Sequence, residues 1–595
     1  MSTTLEQDQS VRGLTRRWVF RTAGAPDREG CLFDRVLSAR GLGEARGTGE
    51  REGAGSFLHP SLRDLHDPSL IPDLDRAAQR LLGAARARER IVIYGDYDVD
   101  GITASTILYH MLLAIEPGAD VATYIPHRLE EGYGLNVQAI ERLAREGARV
   151  VVSVDCGITA VEPACQARCL GLDLIITDHH TPPASMDDLP DAMAVVHPRR
   201  PDSTYPFGDL CGAGVAYKLA WRLATLDAGS AKVHDRLRTL LLELLAHAAL
   251  GAIADVVPLV DENRVFARFG LARIRGSSLP GLGALVDASG LGSERVDSEH
   301  VGFALAPRLN ACGRLGHAGD ALELFTTAGP ARAREIARRL CRLNDQRREM
   351  QRTIADQATQ LAQEAGMTGT DRRTIVLADA SWHPGVVGIV CSRLADRFAR
   401  PTILLHREAE VCTGSGRSID GFDLHGALAA CSGHLIQFGG HRMAAGLKIR
   451  TRNLDAFVEA FIAEANRRLT VDDLVLRLHV DCRASLGELT PEVVTRLDTL
   501  APFGRGNPRV AVRLADVRVV SDPERFGRQG SHLSVRVGAG DRQVRLVGWN
   551  WARWGERIRA GSRIEAVVTP KISTWNGSAR VEPEIRDVRL IDRRA

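Results

Sequence analysis

From residue 91 onward, short runs of continuous apolar residues alternate with longer stretches patterned like helices. "IVIYGD" (91–96) is followed by the helix-like "ITASTILYHMLLAI" (102–115), then by "VATYIPH" (121–127). The helical "NVQAIERLAREG" (136–147) leads into "RVVVSVDCG" (149–157), and a further helix precedes "LDLIITDHH" (172–180). Strands of unbroken apolar character alternating with helices predict a parallel sheet covered on both faces. Residues 331–365 carry no Gly or Pro and predict a long helix joining two halves. A second α/β pattern follows, with strands "RTIVLAD" (373–379) and "RPTILLH" (400–406) around the helix "GVVGIVCSRLADRF" (385–398). Beyond about residue 470 the texture changes to alternating strands, from "LVLRLHVDC" (474–482) to "SRIEAVVTPKI" (562–572). That pattern predicts a small β-barrel, with an OB-fold as the leading candidate.

The polar exceptions to this pattern cluster at strand ends. Asp96, Asp98 and Asp100 fall within five positions after the first apolar run. Asp155 closes the third, and Asp178, His179 and His180 close the fourth. In parallel sheets ligands bind beyond the carboxyl ends of the strands, so these groups are expected along one edge. Asp255, in "GAIADVVPL", follows the long apolar helix pattern "LLLELLAHAALGAIA" and could return to the same edge. Two carboxylates about 5 Å apart repel by about 3 kcal/mol at an effective dielectric near 20. A bound cation is the simplest compensation. A lone DxD is more often a helix cap or a turn, and DHH alone could hold one satisfied histidine; the ordered set is what points to metal. Oxygen donors with one histidine, and no cysteine, suit Mn²⁺ or Mg²⁺. The surplus of carboxylates suggests two ions sharing one Asp, an arrangement suited to phosphoryl chemistry.

Composition narrows the setting. The 595 residues exceed one core, and three or four domains are expected. Net charge is only +3, so any nucleic-acid surface must be local. Four of the 77 basic residues are Lys; an Arg-dominated surface is the usual mark of a GC-rich genome, although Arg also suits bidentate phosphate contacts. The Arg-rich start of the long helix could line a nucleic-acid path or form a solvated face. Eleven scattered Cys without a CxxC pair favour reduced thiols and a cytoplasmic location over a zinc framework. The first residues lack a signal-peptide pattern, and no membrane partner is expected. The Gly-rich stretch 40–55 reads as a flexible connection.

Two further groups look like substrate contacts. "APRLNACGRLGHAGDAL" places Arg308, Asn310 and Arg314 among small residues, a reasonable cradle for phosphate or sugar. "GSGRS" sets Ser415, Arg417 and Ser418 among glycines, and "GGH" offers Gly440 and His441. A plain turn is the ordinary reading of an Arg in such a loop. "VGWNWARWGERIR" supplies Trp549, Trp551 and Trp554, each either core or stacking platform.

In order, "GDYDVDG", "VDCG", "TDHH", "ADVVPL", "GSGRS" and "GGHRMAAG" resemble the successive motifs of the DHH phosphoesterase superfamily. "LHPSLRDLHDPSLIPDLDRAAQRL", "APRLNACGRLGHA", "SWHPGVVGIVCSRL" and "PFGRGNP" resemble its bacterial RecJ branch, and the likeness spans about residues 55–595. The resemblance implies an arm and linker (1–55), a parallel-sheet DHH domain (56–330), a connecting helix (331–365), a DHHA1-type α/β domain (366–469) and an OB-fold barrel (470–595). It implies a 5′→3′ exonuclease that acts on single-stranded DNA with Mn²⁺ or Mg²⁺ and releases 5′-mononucleotides in recombination and repair. A helicase and a single-strand-binding protein are the expected partners. Asp98, Asp100, Asp155, His179 and Asp255 would be ligands, Asp155 the bridge, Asp96 an additional ligand, and His180 a contact to the scissile phosphate. The loop residues from Ser415 to His441 would grip the nucleotide and its 5′-phosphate. Tyr94 stands where many members carry a ligand His, so Asp96 or water is expected to complete that shell. A phosphodiesterase for oligonucleotides or cyclic dinucleotides is the alternative, but its smaller members lack the barrel. A silent replication scaffold would be expected to have lost ligands.

Overall fold

The computed structural model describes residues 10–21, 30–42, 54–128, 130–292, 295–574 and 579–591. The chain divides into two units with an unusual interleaving. One comprises His59–Arg348 together with Ala501–Pro508; the other comprises Met1–Leu58, Glu349–Leu500 and Arg509–Ala595.

The first unit is built on five parallel strands: β1 (Ile91–Gly95), β2 (Val121–Tyr124), β3 (Val150–Val154), β4 (Asp173–Thr177) and β5 (Ala194–Val196). Their spatial order is β2-β1-β3-β4-β5. The direction of winding therefore reverses between β1 and β3, which opens a crevice at their carboxyl ends. β1 and β3 are buried along their full length, as their unbroken apolar runs require. Helix α1 (Val99–Ile115) is apolar on nearly every side and lies in the core, where Ile107, Leu108, Met111 and Leu112 join the sheet's Ile91 and Ile93. Helices α2 (Gly212–Ala228), α3 (Asp235–Ala254) and α4 (Asp261–Leu271) complete that core. α3 is long and apolar enough to cross a membrane, yet most of it is buried inside this unit.

Helix α5 (Ala306–Leu315) is followed by α6 (Pro330–Glu364), the long helix expected from the sequence. In the second unit, β6 (Ile375–Asp379), α7 (Pro384–Phe398), β7 (Thr402–Arg407), β8 (Val411–Arg417), β9 (Leu435–Gly440) and β10 (Ala444–Arg450) form an α/β layer. Its sheet is mixed, in the order β9-β10-β8-β7-β6, with only β6 and β7 parallel. The C-terminal strands β11 (Val512–Val519), β12 (His532–Ala539), β13 (Arg542–Gly548), β14 (Arg563–Thr569) and β15 (Glu584–Leu590) run around a closed five-stranded barrel. Pairing of β11 with β12 completes the circle, as in an OB-fold.

Two features depart from the domain boundaries expected from the sequence. The N-terminal arm is packed, over its described part, against strands far along the chain. Strand Arg17–Phe20 pairs in parallel with Arg477–Val480, and Trp18 is fully buried against Val480 and Val567. The buried Asp587 carboxylate accepts hydrogen bonds from Trp18 Nε1 at 2.8 Å, Thr15 Oγ1 at 2.9 Å and the amides of Thr15 and Arg16. Most of the Gly-rich connection, residues 43–53, lies outside the described residues. The second departure is Ala501–Pro508, which belongs to the unit of the parallel sheet although it precedes the barrel's first strand.

Candidate metal centre

Three loops and one helix end bring the acidic residues together at the crevice between β1 and β3. Asp98 caps α1: its Oδ1 accepts from the Asp100 and Gly101 amides at 2.9 and 3.1 Å. Capping commits one oxygen and leaves the other available. Asp100, in the first turn of α1, is fully buried; its carboxylate accepts from the Gly212 and Ala213 amides at 2.6 and 2.9 Å, at the start of α2. The positive end of that helix favours a carboxylate there. Gly212 has to be glycine, since a Cβ would meet the Asp155 Cβ at 2.6 Å. Asp155 follows β3 with φ of +64°, a left-handed conformation that Asp tolerates better than most residues. Asp255 follows the last turn of α3 and does return to the same edge.

His179 ties the set together. Its Nε2 lies 3.0 Å from Asp155 Oδ1, 3.6 Å from Asp255 Oδ2 and 3.7 Å from Asp100 Oδ2. None of these approaches has hydrogen-bond alignment: His179 Nε2, Asp155 Oδ1 and Asp96 Oδ1 are buried without a partner. Three orphaned lone-pair atoms converging in one place are what a cation site requires, because unpaired buried polar groups are otherwise disfavoured. Burial, reinforced by Asp98, pushes Asp100 up to about 7. Burial also pushes Asp255 up to about 8, with Asp100 and Asp98 adding to the rise. Asp96 and Asp155 are raised well above the usual carboxylate range for the same reason. Burial holds His179 down to about 3, so its imidazole is neutral and can act as a ligand. Three triads, Asp96–Asp98–Asp155, Asp100–His179–Asp255 and Asp155–His179–His180, each offer ligand atoms within 4.8 Å of one another. Asp155 appears in two of them. Oxygen donors with one imidazole fit Mn²⁺ or Mg²⁺.

Asp178 and His180 play a different part. Asp178 is buried and accepts from the amides of Ile158, His179 and His180 and from His180 Nδ1, the last at 2.8 Å. Burial opposes its charge, but the His180 hydrogen bond and the nearby histidines outweigh that and hold it well below the usual carboxylate range. His180 is the mirror case: burial lowers it, yet Asp178 raises it to about 9, so it is an imidazolium at neutral pH. With Nδ1 engaged, Nε2 is the nitrogen left for another partner. The Tyr133 hydroxyl lies 3.2 Å from both ring nitrogens and donates to Asp155 O at 3.3 Å. Neither Tyr133 nor the α2 amides stood out in the sequence, because a Tyr in a Gly-rich loop and two backbone N–H groups leave no compositional mark. Tyr94 is fully buried, and its hydroxyl donates to Gly134 O at 2.9 Å and takes no part in the centre.

The other expected contacts divide. Asn310 Oδ1 accepts from the Val99 amide at 3.2 Å and so braces the first turn of α1. Arg308 donates to Ala304 O at 2.6 Å and Cys341 Sγ at 3.3 Å, which commits two of its five N–H donors. Arg314 is close enough for its charge to act on Tyr97. In the other unit, Arg417 is opposite Ala444 and Gly440 is opposite Ala445, so Ser415, Arg417, Ser418, Gly440 and His441 gather at one end of the β8–β10–β9 hairpins. Ser418 Oγ is committed to Phe422 O, whereas His441 is exposed. On the barrel, Trp551 is buried and Trp554 half-buried; Trp549 is 50% exposed and packs edge-on to His532 and Phe526.

Three family models match the chain: the DHH family, N-terminal domain, over residues 90–249; the DHHA1 domain over 371–467; and the RecJ OB domain over 480–587. The single-stranded-DNA-specific exonuclease RecJ of Bacillus subtilis is 39% identical over 538 residues, spanning 90% of this chain and 66% of that protein. The protein of the same description from Salmonella typhimurium is 34% identical over 540 residues, spanning 88% of this chain and 90% of its own. The chain belongs to the RecJ family. The crystal structure of Thermus thermophilus RecJ in complex with Mn²⁺ superposes with a TM-score of 0.78 at 31% identity, covering 94% of this chain and 76% of that one. The Mg²⁺ complex of the same RecJ gives 0.70 at 29%, covering 94% and 74%. The DHH, DHHA1 and OB architecture is thus the RecJ architecture, and the acidic centre described above is of a kind that takes these two ions.

Proposed function

We propose that this RecJ-family chain is a 5′→3′ exonuclease specific for single-stranded DNA, releasing 5′-mononucleotides by phosphodiester hydrolysis. The observation that carries the reading is the convergence of the orphaned Asp96, Asp155 and His179 atoms with Asp98, Asp100 and Asp255. These six residues would hold two divalent ions, with Asp155 between them. Bound Mn²⁺ or Mg²⁺ would neutralise charge on the phosphoryl oxygens and make a water more acidic. The chain's own contribution is preorganisation. The α2 amides fix the Asp100 carboxylate, the cap on α1 fixes Asp98, and Asp178 fixes the His180 ring. His180, charged at neutral pH, would donate from Nε2 to an oxygen of the scissile phosphate and stabilise its growing negative charge.

Ser415, Arg417, Gly440 and His441 would receive the nucleotide at the strand's 5′ end. Trp549, with His532 and Phe526, is the barrel surface suited to stacking against bases. A cytoplasmic role in recombination and repair, beside a helicase and a single-strand-binding protein, accords with this activity. The test is direct: single strands labelled at the 5′ or the 3′ end are incubated with the protein and Mn²⁺. The 5′ label should appear first as mononucleotide; early release of the 3′ label, or of neither, would refute the reading.

A further inference from the structure

The motif "PFGRGNP" at residues 502–508 belongs neither to the parallel sheet nor to the barrel, yet it is bonded to the unit of the parallel sheet at several points. The chain enters that unit at Ala501 and leaves it after Pro508. Its centre is a tight turn: Gly504 N donates to Asn507 O at 2.9 Å and Asn507 N to Gly504 O at 3.2 Å, with Arg505 and Gly506 at the corner. Gly506 has φ of +76°, which the second corner position of such a turn demands.

The loop is anchored chiefly on the segment just after the ligand candidate Asp255, with Ser298 as a further anchor. Leu259 N donates to Arg505 O at 2.8 Å. The buried Arg264 guanidinium donates to Ala501 O at 3.0 Å and Pro502 O at 3.4 Å, and Ser298 Oγ to Phe503 O at 2.6 Å. A Cβ on Gly504 would meet Leu259 Cδ1 at 2.7 Å, so the loop lies flat on the Pro258–Val260 segment. Val256 has φ of +59°, a strained value for a β-branched residue. The loop is therefore a strap over a strained segment beside the metal centre.

What the strap presents is Arg505. Its side chain is exposed, and Nη1 donates to Val256 O at 3.5 Å, one residue beyond Asp255. Its charge acts on the Asp255 carboxylate, opposing the rise caused by burial and by Asp100 and Asp98. Among the described residues it forms no ion pair with a carboxylate, despite the acidic neighbourhood; the carbonyl of Val256 takes one donor of the exposed fork, and the others are open to a further partner. We propose that Arg505 is a phosphate-binding residue of the catalytic centre, taking a backbone phosphate of the DNA strand beside the scissile bond. Arginine suits the task, since its planar fork matches a phosphate bidentately and stays charged at all working pH values. The inference rests on the exonuclease reading and adds a contact supplied by the chain's C-terminal third to a centre otherwise built by residues 96–255.

The test uses full-length wild type, Arg505→Ala and Arg505→Lys. Binding of a phosphorothioate single strand is measured in EDTA over a range of salt, and cleavage of the ordinary strand is measured with Mn²⁺. Loss of one phosphate contact should reduce the slope of log K against log salt by about 0.7 in Arg505→Ala. It should also lower kcat/KM by roughly 10- to 100-fold, and Arg505→Lys should recover the slope but only part of the rate. An unchanged slope in Arg505→Ala overturns the proposal, and does so equally if the thermal midpoint falls, because the strap's role is then structural. If wild type itself neither binds nor cleaves the strand, the exonuclease reading fails first and the inference falls with it.

Discussion

Asp98 shows how one side chain serves two ends. Its Oδ1 caps α1, while the carboxylate also faces Asp96 and Asp155. Asparagine caps about as well as aspartate, so Asp98→Asn should keep thermal stability and lose most of its Mn²⁺ affinity and turnover. Asp98→Ala should lose about 1 kcal/mol of stability in addition; denaturation midpoints and metal titration separate the two effects. Asp155→Ala should abolish measurable hydrolysis, by at least roughly 10³-fold, while circular dichroism reports a folded protein. Single-turnover rates close to wild type in that variant would remove Asp155 from the shared position. The strand-end carboxylates and DHH were readable from the sequence because charge at the mouth of an apolar strand is costly and therefore conspicuous. Arg308 was legible only as an Arg among small residues; that two of its donors are spent on Ala304 and Cys341 is information the sequence does not carry.

At the scale of elements, α2 is the support that periodicity could not reveal. Its first turn aims the Gly212 and Ala213 amides at Asp100, and no side-chain pattern encodes that aim. Gly212→Ala would drive a methyl group into Asp155 and part the helix from its carboxylate. Mn²⁺ affinity should fall roughly 10- to 100-fold, the usual effect of losing an outer partner of a ligand, with a smaller change in DNA binding without metal. Isothermal titration of both ligands distinguishes this from general unfolding. The apolar strands, the long α6 and the barrel were legible because length and hydrophobic period are strong signals. The N-terminal hairpin was not: strands of three and four residues beside Gly-rich text look like a loop, and their partner, Arg477–Val480, is hundreds of residues away.

Across the whole molecule, the acidic centre couples folding to pH and to metal. Asp100 and Asp255, raised to about 7 and 8, hold their protons more tightly folded than unfolded. Their contribution to the metal-free protein is complete below about pH 4 and is lost as pH rises through 7 and 8. The melting temperature of protein stripped with EDTA should therefore fall between pH 5 and pH 8.5. Added Mn²⁺ should raise it, and more so at the alkaline end, since binding requires the deprotonated carboxylates. A metal effect that shrinks with rising pH would contradict this. On the barrel, Trp549→Ala should weaken binding of long single strands by roughly 5- to 100-fold and leave cleavage of a dinucleotide unchanged. The grip of Asp587 on Thr15, Arg16 and Trp18 bears on how the protein is made. During synthesis Trp18 must wait for Asp587, 569 positions further along the chain, to leave the ribosome. Residues 59–348 can compact while that wait lasts, so a chain stalled before Asp587 should carry a finished α/β core and a water-exposed Trp18, a lure for chaperones.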